Sequence, residues 1–355
     1  MQRSLSEPLA DKSALFNLQP NIESMSNSSL QALKNRVLNL TPRHFDQLAL
    51  DIFHFQAENN PIYKQWIQLL GKNPSEIQQV EKIPFLPISF FKNHSIKSGD
   101  WTPQDTFESS GTTGMTPSRH YIEDLKFYDT LARLIYTDFY GPVENYVFLG
   151  LLPSYLERTT SSLVRMVDQF IKIGKHPESG FYLNDHEDLI RQVEKIKRSG
   201  KKAVLIGVTF GLLDLADRYE ADFSDLIVME TGGMKGRRKE LLREEVHHFL
   251  ANRLNIKEVH SEYGMTELLS QGYSKGNSLF KTADSMKVLI RETNDPLSLE
   301  TRAKSGAINI IDLGNVHSCS FIATEDLGKI HPDGSFEVLG RLDNSDIRGC
   351  NLMIS

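Results

Sequence analysis

Phe107-Glu108-Ser109-Ser110-Gly111-Thr112-Thr113-Gly114-Met115-Thr116-Pro117 is the stretch on which the reading of this chain turns. Positions 109–114 hold two glycines and four hydroxyl side chains. Backbone amides and hydroxyls in such a loop can wrap phosphate oxygens without a fixed positive charge. No Gly-Lys-Ser/Thr follows, so this is not a Walker A loop and the kinase or GTPase reading loses support. Taken alone, the same composition also describes an ordinary Ser/Gly surface loop. The surrounding sequence has to decide.

Upstream, the first twenty-odd residues are polar and read as a loosely held arm or partner contact. Over 29–79 apolar residues recur at helical spacing, as in Phe45, Leu48, Ile52 and Phe55, with Thr41-Pro42 as a helix start. The stretch 83–91, IPFLPISFF, carries too much proline for an inner strand and reads as an extended, buried connection. Downstream, apolar runs at 146–152 and 203–209, with a shorter one at 226–229, predict strands covered on both faces. Helical patterns follow or separate them at 123–136, 161–173, 185–198 and 237–254. The alternation predicts an α/β layered fold with parallel strands. From about Met286 the pattern changes to short strands, at 286–291, 307–312, 318–323 and 336–339, so the last part of the chain is expected to be β-rich.

A length of 355 residues gives a soft expectation of about two domains at roughly 150 residues each. With 39% hydrophobic and 24% charged residues, wholesale disorder is excluded. A formal net charge of -6 gives no basis for nucleic acid or an anionic membrane as the main partner. The two cysteines, Cys319 and Cys350, cannot build a disulfide framework, and no CxxC pair suggests structural zinc; a reducing cytoplasm is the expected location. MQRSLSEPLADKSALF has no apolar h-region, and the longest apolar run, 203–213, is shorter than the roughly 18 residues a span requires. Neither a signal peptide nor a membrane span is expected.

Three further segments carry residues suited to nucleotide chemistry. In Ser261-Glu262-Tyr263-Gly264-Met265-Thr266-Glu267 a carboxylate beside a hydroxyl can hold Mg²⁺ on phosphates and the aromatic can stack on a base; the alternative is a turn with a capping Thr. Ala323-Thr324-Glu325-Asp326-Leu327-Gly328 and Gly340-Arg341-Leu342-Asp343 each read as turns, in which an acidic residue can accept both ribose hydroxyls and an Arg can reach a phosphate.

As an ordered set these four elements resemble the adenylate-forming superfamily: acyl-CoA synthetases, luciferase-type enzymes and peptide-synthetase adenylation domains. The resemblance runs from about Phe85 to the last residue. It implies the large-domain fold of that superfamily, with parallel α/β layers and a β-rich C-terminal part. It also implies ATP and Mg²⁺ as cofactors. Ser109, Ser110, Gly111, Thr112, Thr113 and Gly114 would bind ATP phosphates, and Thr231-Gly232-Gly233 would form an adenine wall. Tyr263, Gly264 and Thr266 would lie on the adenine side, Glu267 at the magnesium, Asp326 at the ribose, and Arg341 with Asp343 at a hinge. The expected organisation is an N-terminal arm and helical region over 1–84, an α/β nucleotide-binding core over 85–280, a β-rich subdomain over 281–340 and a hinge-like tail over 341–355.

Two departures narrow the choice. The phosphate loop ends Met115-Thr116-Pro117-Ser118-Arg119 without the frequent Pro-Lys, leaving Arg119 as a possible substitute. The sequence also ends soon after Gly340-Arg341, so the mobile C-terminal domain that carries the adenylating lysine in most members is expected to be absent or vestigial. Together with Glu230-Thr231-Gly232-Gly233-Met234-Lys235-Gly236-Arg237, the 83–92 stretch and Leu152-Pro153-Ser154-Tyr155-Leu156-Glu157-Arg158, this resembles the acyl-protein synthetase (LuxE-type) branch, the long-chain fatty acid–protein ligases. That branch implies a fatty or other carboxylic acid substrate, a thioester on Cys350 and an acyl reductase or acyl-carrier partner. A phenylacetate-type acyl- or aryl-CoA ligase and a catalytically silent nucleotide-binding scaffold are the competing readings.

Cys350 lies near the end of the sequence beside Arg348, which can lower the thiol's pKa; the alternative is an unreactive tail thiol. Lys235 and Arg341 are candidate catalytic cations, because attack of a carboxylate on an α-phosphate brings two anions together; a surface role for Lys235 is the alternative. Cys319 reads as a small core residue. His247 and His248 diverge by about 100 degrees on a helix and do not suit one metal. Ser161 and Ser162 read as an N-cap, since no GxSxG elbow supports a nucleophile.

Overall fold

The computed structural model describes residues 22–109, 116–153, 158–232, 242–293, 297–299 and 305–342, with side chains of the first helix from Ser29 onward. The helical periodicity at the start resolves into α1 (Ile22–Leu38), α2 (Phe45–Asn59) and α3 (Pro61–Leu69). Thr41-Pro42 opens a 3-10 turn that leads into α2. Phe45, Leu48, Ala49, Ile52 and Phe53 of α2 face the core. Asn60 then caps α3 by accepting from the Tyr63 amide, and Pro61 takes the first-turn position where its missing N–H costs nothing. The proline-rich stretch runs extended as expected, but two of its residues form β1 (Leu86–Pro87), which pairs in parallel with Leu86 opposite Ile322. It continues into the one-turn α4 (Phe90–Asn93).

The Ser/Gly/Thr loop is carried by a hairpin that the sequence reading missed, β2 (Asp105–Glu108) against β3 (Arg119–Ile122). Next come α5 (Leu125–Tyr140), β4 (Tyr146–Leu151), α6 (Ser162–Gly174), β5 (Gly180–Phe181) and α7 (His186–Ser199). Ser161 is the N-cap of α6, accepting from the Val164 amide, and Gly200 closes α7. The apolar run 203–213 is not one element. It divides into β6 (Lys202–Val208) and α8 (Thr209–Arg218), both buried, so hydrophobicity alone carries no boundary. Then follow β7 (Ile227–Thr231), α9 (Arg243–Leu254), β8 (Val259–Tyr263), β9 (Gly272–Ser274), β10 (Phe280–Thr282), β11 (Met286–Arg291), β12 (Ser305–Asp312), β13 (Phe321–Ile330) and β14 (Phe336–Arg341).

Among the described residues one 12-stranded sheet runs β11-β12-β13-β14-β10-β9-β8-β7-β6-β4-β5, with β1 beside β13. The strands β5, β4, β6, β7 and β8 are mutually parallel, and pairing is antiparallel from β8 to β9 onward. Period-two alternation sorts the core into two layers. Val147, Leu149 and Leu151 of β4 join a cluster with α7, α8 and α9, whereas Tyr146 and Phe148 join the larger cluster with α5, α6 and the N-terminal helices. No helix among the described residues is long and apolar enough to cross a membrane.

Three expectations are corrected. Thr324 to Gly328 is not a turn but the middle of β13, flanked by β12 and β14, with a register shift between Leu327 and Gly328. Gly340-Arg341 likewise ends β14 rather than forming a turn. Polar residues and glycines resemble turn punctuation in the sequence, but neighbouring strands satisfy the backbone on both sides and tertiary pairing prevails. Finally, β13 begins at Phe321, so Cys319 precedes the strand; it is nevertheless fully buried, with its thiol pushed up to about 12 by burial.

Candidate active site

The hairpin β2–β3 closes at its loop end through Ser109 and Ser118. The Ser118 amide donates to Ser109 Oγ at 2.9 Å, and the Ser109 amide to the Ser118 carbonyl at 3.1 Å. Ser118 also hydrogen-bonds the buried Glu267 carboxyl, which burial pushes above its ordinary pKa while Lys92 and Arg341 act in the opposite direction. Glu267 therefore sits at the root of the Ser/Gly/Thr loop, joined to it through Ser118. Lys92, on α4, gives the proline-rich stretch a role in this charge arrangement.

Tyr263 ends β8 and donates its hydroxyl to Asp326 Oδ2 at 2.8 Å, while its ring packs on Phe280 and Phe336. Asp326 faces Arg341 across the β13–β14 pair, with Arg341 Nε 4.0 Å from Asp326 Oδ1 and Arg341 Nη2 3.1 Å from Glu325 Oε2. Burial raises the Asp326 pKa, and Tyr263, Arg341 and Arg243 partly offset it. Arg341 is 69% exposed, the most accessible member of the group. Because Arg341 acts on both Glu267 and Asp326, the two acidic residues belong to one electrostatic environment.

At the carboxyl ends of the parallel strands, where ligand crevices form in open α/β sheets, stand Glu230, Thr231 and Gly232 of the β7 end. Gly232 has φ of 75°, a left-handed backbone that favours glycine, and its carbonyl accepts from Thr209 Oγ1 at 2.7 Å. Thr231 donates its hydroxyl to Glu262. Burial pushes Glu262 up to about 7, and the neighbouring Glu230 adds to the rise. A Cβ at Gly264 would lie 2.3 Å from Glu262 Oε1, so a side chain there would have to displace the buried Glu262 carboxyl.

Arg243 and Arg291 were not visible in the sequence as contributors. Arg243, the first residue of α9, lies 3.3 Å from Glu230 and 4.9 Å from the Phe280 ring centroid. Arg291 is buried beneath β13, donating to the Ile308 and Thr324 carbonyls, and its charge acts on Asp326. Arg119 is paired with Glu108 across the hairpin at 3.3 Å. His247 approaches Glu230 at 3.7 Å while His248 faces outward to Asn252, the divergence expected of adjacent helical positions. The calls on Ser110, Gly111, Thr112, Thr113, Gly114, Gly233, Lys235, Asp343 and Cys350 lie outside the described residues.

Mg²⁺ fits this donor set as an ion shared with a substrate. Among the described residues no three His, Cys, Asp or Glu side chains gather into a cage. Glu267 supplies one buried carboxylate whose ionised form a cation would favour, and Mg²⁺ commonly takes one or two carboxylates together with phosphate oxygens.

No family model matches the sequence, and no curated protein matches it. Among solved structures, 2-hydroxyisobutyryl-CoA ligase in the postadenylation state, in complex with R3-HIB-AMP, aligns over 87% of this chain and 70% of its own, with TM-score 0.62 and 13% identity. The fold is that of the adenylate-forming enzymes. MatB from Rhodopseudomonas palustris (17% identity, 66% of this chain, 47% of its own, TM-score 0.48) and O-succinylbenzoate coenzyme A synthetase from Bacillus subtilis in complex with AMP (18%, 68%, 49%, 0.48) also align. The chain spans about half the length of these two proteins.

Proposed function

We propose that this protein is an ATP-dependent adenylating enzyme that activates a carboxylic acid as acyl-AMP. The observation that carries the reading is the convergence of Glu267 on the root of the Ser/Gly/Thr loop with the Tyr263–Asp326 pair and Arg341 beside it. A carboxylate oxygen attacks the α-phosphorus of ATP, an O–P bond forms, the α–β anhydride breaks and pyrophosphate leaves. Asp326 would accept ribose hydroxyls beside its bond from Tyr263, and Arg341 is accessible enough to reach a phosphate. Mg²⁺ bound by Glu267 and phosphate oxygens would offset the meeting of two anions. Acid-dependent ATP–pyrophosphate exchange tests this reading: Glu267→Ala and Asp326→Ala should each lower the rate, by on the order of 10²-fold for loss of a charge-stabilising group. Unchanged exchange in both would overturn it.

The finer reading is an acyl-protein synthetase acting on a fatty acid, in which the Cys350 thiolate attacks the acyl carbonyl, a C–S bond forms and AMP leaves before transfer to a reductase or carrier partner. Lys235 would assist as a cation near the reacting phosphate. Labelled fatty acid with ATP should mark the protein in a form released by neutral hydroxylamine and abolished by Cys350→Ser. Label that survives the substitution sinks the thioester step. The CoA-ligase reading draws support from the fold shared with 2-hydroxyisobutyryl-CoA ligase, and formation of a CoA thioester by this chain would favour it.

A further inference from the structure

His120 stands on β3, two positions beyond Ser118, and its ring is fully buried. Its Nδ1 lies 3.0 Å from the Thr266 carbonyl and its Nε2 2.8 Å from Ser318 Oγ. A carbonyl oxygen only accepts, so Nδ1 carries the proton; Nε2 of the neutral ring then accepts from the Ser318 hydroxyl. Burial lowers the His120 pKa to about 4, which agrees with a neutral ring. The same turn is held from its other side. Asn315 Nδ2 donates to the Glu267 carbonyl at 2.7 Å, and Asp312 accepts from the Leu269 and Ser270 amides at 2.8 and 2.9 Å. His120 is the member of this set that comes from the hairpin carrying the Ser/Gly/Thr loop.

We infer that His120 is a positioning residue that latches the Ser/Gly/Thr hairpin to the Thr266–Glu267 turn and fixes the Glu267 carboxylate relative to the loop root. The inference rests on the adenylating reading for its catalytic consequence, but the latch itself is a property of the fold. Asn315 and Asp312 hold the turn to the sheet side, and Ser118 touches the Glu267 carboxyl; the His120 bond to the adjacent carbonyl supplies a second point that ties the turn to the hairpin itself. Partners that orient a metal-associated carboxylate typically change affinity or activity by about 10–100-fold when removed. The neighbouring His317 offers a control. It stacks on His120 with centroids 5.7 Å apart, yet neither of its ring nitrogens has a hydrogen-bond partner.

The test uses the full chain with His120→Asn, His120→Phe and His317→Phe, each also combined with Glu267→Gln. Amide hydrogen exchange over residues 264–271 should accelerate in His120→Phe, less so in His120→Asn, and remain unchanged in His317→Phe. Acid-dependent ATP–pyrophosphate exchange should fall about tenfold in His120→Phe, with partial rescue in His120→Asn. In the Glu267→Gln background the His120 substitutions should cost less than about twofold, since both act through one carboxylate. Unchanged amide exchange in the turn, or equal losses in both Glu267 backgrounds, overturns the inference. If the turn loosens as expected but the unsubstituted protein catalyses no exchange with any acid tried, the adenylating reading fails while the latch stands.

Discussion

Glu262 and Gly264 show how one side chain dictates its neighbour. The Glu262 carboxyl is buried, accepts from Thr231 and occupies the space a Cβ at position 264 would need. Gly264→Ala should therefore cost on the order of 1–3 kcal/mol by overpacking, and less in a Glu262→Ala background; urea unfolding of the three variants measures the coupling. Glu262 also predicts a pH dependence. Its folded pKa is raised from 4.5 to about 7, so between those values the folded state binds more protons than the unfolded chain and stability falls as pH rises. Relative to Glu262→Gln, the unsubstituted protein should lose on the order of 2 kcal/mol across that window, a rough figure from the energy of a pKa unit. Comparison with the variant is needed because His120 and His260, both lowered to about 4 by burial, act oppositely: their contribution is lost as pH falls from 6.5 toward 4.

At the scale of elements, the turn after β8 depends on a residue at the end of β12. Asp312 accepts from the Leu269, Ser270 and Gly314 amides and from Ser270 Oγ at 2.6 Å. Asp312→Ala leaves three buried backbone donors without that acceptor and should destabilise by about 2–4 kcal/mol, with faster amide exchange at 268–271; a loss below about 1 kcal/mol would show that other groups satisfy them. None of this was legible locally. Asp312 read only as the end of a strand, because the Leu269 and Ser270 groups it holds lie more than forty residues earlier in the chain. By contrast, Ser161 as an N-cap was legible, since a cap bond spans three residues.

At the scale of the molecule, the N-terminal helices are wired into the site-bearing sheet. Gln56 of α2 donates to the Asn315 carbonyl at 2.8 Å and accepts from the Ser320 amide at 2.9 Å, and Asn60 donates to the Ser318 carbonyl at 2.9 Å. Lys34 of α1, almost fully buried, pairs with Glu123 and Asp124 at the start of α5. Residues from α1 through β14 share one apolar cluster. Gln56→Leu should therefore lower stability by about 1–3 kcal/mol by stranding buried polar groups and raise amide exchange across 313–320. Confinement of the change to α2 would contradict this linkage.

The sequence by itself determined the α/β class and the main strands of the parallel region, and it nominated the residues proposed for phosphate, ribose and metal chemistry. These follow from composition, short-range periodicity and ordered motifs, all of which are written along the chain. Only the tertiary structure placed Asp326 in a strand rather than a turn, set Tyr263 on it, and brought Glu267 to Ser118 and Thr266 to His120. Those decisions depend on burial and on partners distant in sequence: the same polar residue reads as a turn when its neighbours are unknown and as a paired strand residue once β12 and β14 close around it.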